Sequence, residues 1–242
     1  MPLSSNSLIH FTQEKDNLIG ILNDNFKVHY CYEKICSRYS FLSGAMPMVC
    51  FCDIPLSEIK EHIKIYGCYG IGLKKEWAIQ NGLNPVFYCE KESNISTEVQ
   101  TIFDGIAKGD FHAHAKIKQS LLNMIRLMKN YQGEFHRNGE IYYNYRYSDE
   151  REWRFVPSYQ EATLVSGLQF VTEEQKRIAN DLIRDLRLCF TPDDITYIII
   201  KEESEIKEFI KILREAKGKY SYDQVDRLTT RIITTEQIRS DF

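Results

Sequence analysis

Short apolar runs of strand length recur along this chain, and each is followed by a segment with helical features. Three such runs are Ser7–Thr12, Pro47–Cys52 and Ile195–Ile200. The segments that follow them carry apolar residues at helical spacing or a proline suited to a first helical turn. This alternation predicts an α+β protein, in which a mixed central sheet packs against helices.

A helical block is predicted between two of the strands. Helices are expected at about residues 94–109 and 112–130, and the second has apolar residues at Leu121, Leu122, Ile125 and Met128. A strand is expected before the block, at residues 84–89, and another after it, where an aromatic stretch at residues 141–147 leads into residues 149–157. The helical block is therefore interpreted as an insertion into the sheet.

The 242 residues are expected to form one domain spanning residues 1–242. No repeat or low-complexity linker divides them, although a C-terminal helical and β subdomain from about residue 172 remains an alternative. No run approaches the roughly 18–20 apolar residues that span a bilayer, and the first residues lack a signal-peptide pattern. We expect a cytoplasmic protein with no membrane partner.

Cysteine usage favours buried, reduced thiols. The seven cysteines are odd in number and none forms a CxxC pair. His112-x-His114 is a weak metal signal by itself. We therefore expect no metal site and no disulfide framework.

One stretch of the chain is basic, although the net charge is −3. Between Gly105 and Arg146, seven lysines and arginines face three acidic residues. Such a stretch suits phosphate contacts with a nucleic-acid target. Solvated helix faces explain it equally well, and both interpretations stay open.

An acidic pair precedes an apolar strand near residue 152. If residues 150–155 form a strand, its two-residue period places Glu150, Glu152 and Arg154 on one face. A partly buried carboxylate is costly unless it is paired, and Arg154 and Arg151 are both available partners for Glu152. The pattern leaves open a structural salt bridge or a functional acid.

Glycines alternate with bulky residues in Tyr66–Leu73. Gly67, Gly70 and Gly72 suit a strand that backbone or a ligand approaches closely. Their spacing is neither the dinucleotide fingerprint nor a P-loop. A nucleotide-binding loop of either kind is therefore not expected.

Several blocks of the sequence together resemble the AbiGi family of bacterial abortive-infection phage-resistance proteins, which are described as antitoxins. The blocks are Leu8–Thr12, Asn17–Leu22, Pro47–Leu56, Tyr66–Leu73 and Glu150–Arg154. The resemblance extends in the same order from about Leu8 to Pro157. It implies an antiphage role and a partner that is a cognate toxin or antitoxin.

A more distant resemblance is to ADP-ribosyltransferases, and it implies an ADP-ribosyltransferase-like fold with NAD as co-substrate. Those enzymes use a His or Arg on a first strand, an aromatic residue on a second and a Glu on a later one. The residues that the resemblance assigns are Glu152, His10 and Glu150 for catalysis, and His10, Thr12, Tyr66, Tyr69 and Gly70 for binding NAD.

Two functions therefore follow as hypotheses. The first is an NAD-dependent ADP-ribosyltransferase acting on nucleic acid or protein, in which a fixed carboxylate would stabilise the oxocarbenium-like transition state. The second is a non-catalytic antitoxin that binds and restrains a nucleotidyltransferase-type toxin. His10 alone is explained as well by core packing, and Tyr66 and Tyr69 by ordinary packing.

Overall fold

A computed structural model describes residues 5–37, 41–109, 115–137 and 139–241. The chain groups into two compact units, and each combines stretches that are distant in sequence. The first unit contains the residues up to Lys27, Cys50–Leu83 and the residues from Arg187 onward. The second unit contains Val28–Val49 and Asn84–Leu186.

Fifteen strands lie within the described residues. They are β1 Ser7–Thr12, β2 Phe26–Lys27, β3 His29–Cys36, β4 Phe41–Cys52, β5 Tyr69–Lys74, β6 Asn84–Pro85, β7 Phe87–Cys89, β8 Met128–Asn130, β9 Gly133–Arg137, β10 Glu140–Tyr145, β11 Glu152–Phe155, β12 Val165–Ser166, β13 Arg187–Leu188, β14 Ile195–Ile200 and β15 Ile232–Thr234.

Nine α-helices accompany these strands in the same residues. They are α1 Lys15–Asp24, α2 Lys60–Tyr66, α3 Lys75–Gln80, α4 Asn94–Lys108, α5 Ala115–Ile125, α6 Glu173–Leu182, α7 Ile206–Ala216, α8 Tyr222–Thr229 and α9 Thr235–Asp241. The mixture confirms the predicted α+β class. No helix in the described ranges is long and apolar enough to cross a membrane.

The first unit is built on a sheet whose strand order is β15-β14-β5-β1, and the end of β4 pairs with β1 at Cys52. β1 pairs antiparallel with β5 along its whole length, and β14 pairs antiparallel with β5 and parallel with β15. The β-branched sequence of β14 suits its position between two strands, and Ile198, Ile199 and Ile200 are fully buried. The strand predictions for β1 and β14 are confirmed.

The second unit contains a long hairpin and several short strand pairs. β3 pairs antiparallel with β4, and β12 adds to β4 at Ala45 and Gly44. β11 pairs with β6, β7 pairs in parallel with β8, and β9 pairs with β10. This unit holds the acidic pair that the sequence singles out.

Some predicted boundaries are wrong because strand pairing overrides local periodicity. The strand predicted at residues 84–89 divides at Val86, whose amide bonds to Glu152, while the next amide bonds to Leu127. The helix predicted at residues 112–130 ends at Ile125, and residues 128–130 form β8. His112 and His114, the weak metal signal, lie outside the described residues.

A buried cation in the first unit gives a pH-dependent prediction. Lys217 follows α7, is 3% exposed and places its Nζ 4.5 Å from the centre of the Phe190 ring. Burial lowers the pKa of Lys217 to about 8. The unfolded chain therefore binds a proton between about pH 8 and 10.5 that the folded chain has lost, so this group adds stability as the pH rises through that window.

We expect Lys217→Met to stabilise the protein at pH 7 by on the order of 2 kcal/mol, because a charge is no longer buried. The gain should shrink as the pH rises from 8 to 10.5 and should be lost above that window, where the wild-type amine is neutral in both states. Urea unfolding at several pH values measures it. Lys211→Met, at a mostly exposed side chain of α7, is the control, and an equal gain there would contradict the prediction.

Candidate functional site

The alternation of β11 places Glu152 and Arg154 on one buried face. Glu152 is 5% exposed and Arg154 is fully buried, whereas Trp153 and Phe155 are half-buried on the other face. Arg154 Nε donates to Glu152 Oε1 at 2.5 Å. The prediction that these two side chains share a face is therefore confirmed, and of the two arginines that the sequence offers as partners, Arg154 pairs with Glu152.

Lys129 and Glu33 extend this pair into a network. Lys129 Nζ lies 2.6 Å from Glu152 Oε2 and 2.7 Å from Glu150 Oε2. Arg154 Nη2 donates to Glu33 Oε1 at 2.7 Å. Three carboxylates and two cations thus meet, contributed by β3, β8, β11 and the turn before β11. We call these five residues the ion-pair network.

Glu150 joins the network from a turn and not from a strand. It lies in the 3₁₀ turn Tyr147–Glu150, and Arg151 then adopts a positive φ of 44° before β11 begins. The prediction that Glu150 shares a strand with Glu152 is wrong because of this turn. Their carboxylates nevertheless converge, since both bind Lys129.

Tyrosines and backbone carbonyls surround the network. Tyr145 donates its hydroxyl to Glu150 Oε1 at 3.0 Å, and the Glu152 amide donates to the Tyr88 hydroxyl at 2.8 Å. Arg154 Nη1 donates to the carbonyls of Arg126 and Met128. The buried guanidinium therefore has acceptors on several sides.

The charges of the network compensate one another. Burial lowers the pKa of Lys129, but the carboxylates of Glu152, Glu150 and Glu33 together raise it well above its ordinary value. Lys129 is therefore charged at neutral pH. Each Glu152 oxygen already accepts from a cation, so the arrangement holds segments of the chain together and presents no unengaged carboxylate.

His10 lies on β1 in the first unit, in an aromatic environment. Its Nδ1 lies 2.8 Å from the Cys50 carbonyl oxygen, and its ring meets Phe26 and Phe51 edge-on. Burial lowers the pKa of His10, partly opposed by the bond to Cys50. The ring is therefore neutral at pH 7, with Nδ1 as the donor to the carbonyl.

The other residues assigned to an NAD site also have partners in the first unit. Tyr69 donates its hydroxyl to Glu205 at 2.9 Å, and burial together with this bond raises its pKa. Tyr66 ends α2 and stacks on His62, so its helical spacing from Ile59 and Ile63 is confirmed and its place in a strand with the residues that follow is wrong. Thr12 accepts a hydrogen bond from the side chain of Asn17 at 3.0 Å.

The glycines of residues 67–72 are needed for close packing within the protein. Gly67 has a φ of +114°, and a Cβ there would overlap the backbone of Thr12. At Gly70 the nearest atoms are the His10 carbonyl oxygen and the Phe11 ring, and at Gly72 they belong to Thr196 and Tyr197. The predicted close approach is confirmed, and protein atoms make it.

The candidate residues thus fall into two groups. Glu150 and Glu152 are together in the second unit, whereas His10, Thr12, Tyr66, Tyr69 and Gly70 belong to the first. Their combination into one NAD site stays a prediction. Sequence reasoning missed Lys129, because β8 is hidden in a predicted helix, and Glu33, because nothing local links it to Arg154.

The described ranges contain no candidate metal site. No group of three or more His, Cys, Asp or Glu residues there is arranged to hold a metal ion. The fold and the site define this protein as an α+β protein of two compact units, the second of which contains a charge-compensated ion-pair network around the fully buried Arg154.

Comparison with known proteins identifies the family to which this chain belongs. The family described as "Putative abortive phage resistance protein AbiGi, antitoxin" matches residues 24–201. The "Abortive phage resistance protein AbiGi" of Lactococcus lactis subsp. cremoris is 26% identical over 228 residues, covering 81% of this chain and 89% of that protein. No solved structure matches. The chain belongs to the AbiGi family, as its sequence blocks indicate.

Proposed function

We propose that this protein is a non-catalytic antitoxin of an abortive-infection system, which binds and restrains a cognate toxin of nucleotidyltransferase type. Its membership of the AbiGi family supports the antiphage role and the antitoxin assignment. The observation that favours binding over catalysis is the state of Glu152, whose two carboxylate oxygens both accept from buried cations.

The chemistry of glycosyl transfer explains why this observation matters. A carboxylate stabilises an oxocarbenium-like transition state when its charge faces the sugar in a water-excluded site. The Glu152 charge faces Lys129 and Arg154 instead, and the side chain is 5% exposed. A carboxylate neutralised in this way adds little to such a transition state.

An NAD-dependent ADP-ribosyltransferase is the second candidate. The convergence of Glu150 and Glu152 on Lys129 favours it, since the resemblance assigns both glutamates to catalysis. An ADP-ribosyltransferase-like fold and NAD as co-substrate belong to this candidate. It requires the ion-pair network to open, and release of nicotinamide from NAD by the wild-type protein would support it.

The positions of two basic side chains weaken the support for a nucleic-acid target. Arg126 is 1% exposed and donates to Asn123 and to the Ala162 carbonyl, and Lys129 belongs to the ion-pair network. Two of the seven cations of the basic stretch are therefore inside the protein. Phosphate contacts need accessible cations.

The antitoxin proposal predicts neutralisation in living cells. Expression of the protein encoded by the neighbouring gene should arrest growth, and co-expression of this chain should restore it. The two proteins should also copurify, because restraint is proposed to act by binding. Growth curves and size-exclusion chromatography measure these effects. If this chain alone arrests growth, the antitoxin role is wrong.

A further inference from the structure

A cleft lies between β14, β15 and α9, entirely within the first unit. Its volume is about 450 Å³, which falls in the range of roughly 300–1,000 Å³ that small-molecule sites occupy. The residues that line it include Tyr197 of β14, Arg231, Ile232 and Ile233 at the start of β15, and Gln237 and Asp241 of α9. We call it the α9 cleft.

One wall of the α9 cleft is apolar and is held in place by the core. Tyr197 and Ile233 pack against a buried cluster that contains Ile199 and Ile238. Tyr197 also covers Gly72, where an added Cβ would come within 2.9 Å of the tyrosine ring. The wall is therefore formed before any ligand binds, and it suits an apolar group.

Arg231 brings a positive charge to the cleft without a carboxylate partner. It is half-buried, and it is the one cation among the described lining residues. Its Nη1 donates to the carbonyls of Ile195 and Pro192, and its Nε and Nη2 make no hydrogen bond within the described ranges. The neighbouring Arg227 is already paired with Asp193. The remaining donors of Arg231 suit a ligand carboxylate, which can accept two parallel hydrogen bonds from a guanidinium.

Helix α9 contributes an acceptor and a further donor. Asp241 is exposed and forms no ion pair or hydrogen bond in the described part of the chain, so it is not paired with Arg231. Gln237 accepts from the Thr234 amide through Oε1, and its Nε2 has no acceptor among the same residues. Gln237 and Asp241 are four positions apart and share one face of α9. The cleft thus presents two opposite charges that do not neutralise each other directly.

We propose that the α9 cleft binds a small zwitterion, namely an amino acid with an apolar side chain. Arg231 and the Gln237 amide hold its carboxylate, and Asp241 holds its ammonium group. Its side chain lies against Tyr197 and Ile233. A ligand with only a negative charge leaves Asp241 unmatched, and a ligand with only a positive charge leaves Arg231 unmatched. This site lies in the other unit from the ion-pair network and does not depend on the antitoxin function.

Isothermal titration calorimetry of the whole protein with L-leucine and with L-phenylalanine tests the ligand class. At least one of them should bind saturably. Its N-acetyl derivative lacks the ammonium charge and its amide lacks the carboxylate, so each should bind at least about 10-fold more weakly. Lack of saturable binding by both amino acids up to about 10 mM overturns the proposal. Equal affinity for the amino acid and its N-acetyl derivative defines a simple anion site and also overturns it.

Two substitutions test the location of the site. Arg231→Gln and Asp241→Asn should each weaken binding of that amino acid at least about 10-fold, and Asp241→Asn should remove most of the preference over the N-acetyl derivative. Because Asp241 is exposed, its variant should melt like wild type even if Arg231→Gln is less stable. Asp223→Asn, exposed on α8 and outside the cleft, is the matched control and should leave affinity unchanged. If Asp241→Asn binds as tightly as wild type, the assignment of the cleft is wrong.

Discussion

Replacing Glu152 with glutamine is expected to destabilise the protein by roughly 3 kcal/mol. The amide keeps the shape of the carboxylate but offers one acceptor, so its NH₂ group must face a donor of Lys129 or Arg154 in either orientation. Removing one partner of a buried ion pair leaves the other charge without compensation. Urea unfolding, followed by circular dichroism, measures the loss.

Glu174→Gln is the matched control for this substitution. Glu174 pairs with Arg177 on α6 but is largely exposed, so its substitution should leave the free energy of unfolding nearly unchanged. The transferase hypothesis expects a different result for Glu152→Gln, namely unchanged unfolding with loss of nicotinamide release from NAD. Equal stability of the variant and wild type would therefore contradict the structural role of Glu152.

Replacing Gly67 with alanine is expected to cost at least about 3 kcal/mol. Its φ of +114° with a ψ of 170° is a conformation that is essentially restricted to glycine. The added methyl group would also overlap backbone atoms of Thr12 and Gln13, which cannot move as a flexible side chain can. Thermal and urea unfolding of the purified variant measure the effect.

Gly20→Ala is the matched control for Gly67→Ala. Gly20 lies within α1, and nothing lies within 4 Å of an added Cβ. Alanine should stabilise this helix by up to about 1 kcal/mol. A Gly67→Ala protein as stable as wild type would show that the link between α2 and β5 tolerates a side chain, and that the close approach to β1 is not required.

Local sequence patterns predict the structure correctly where residues close in sequence decide it. The alternation of β11 predicted that Glu152 and Arg154 share a face, and the β-branched run of β14 predicted a buried strand. Patterns failed where a distant segment decides the structure. Lys129 was assigned to a helix because residues 121–128 have helical spacing, whereas pairing with β7 makes residues 128–130 a strand.

The candidate site was predictable only where its contacts join residues that are close in sequence. The contact between Glu152 and Arg154 joins residues two apart, and sequence alone named Arg154 as one of two available partners. The contact between Arg154 and Glu33 spans 121 positions, and no local signal reports it. The aromatic surroundings of His10 likewise depend on Phe26 and Phe51, which the sheet brings to it.

The position of β14 sets an order on folding during protein synthesis. β14 lies between β5 and β15, so the sheet of the first unit is completed only by residues 195–234. The second unit has all its residues once Leu186 has left the ribosome. Domains fold as units during synthesis. The second unit begins later in the sequence than the first, but all of its residues are synthesised before the first unit is complete. Until β14 has been synthesised, one edge of β5 has none of the described strands beside it, and an unpaired edge of this kind is open to mispairing.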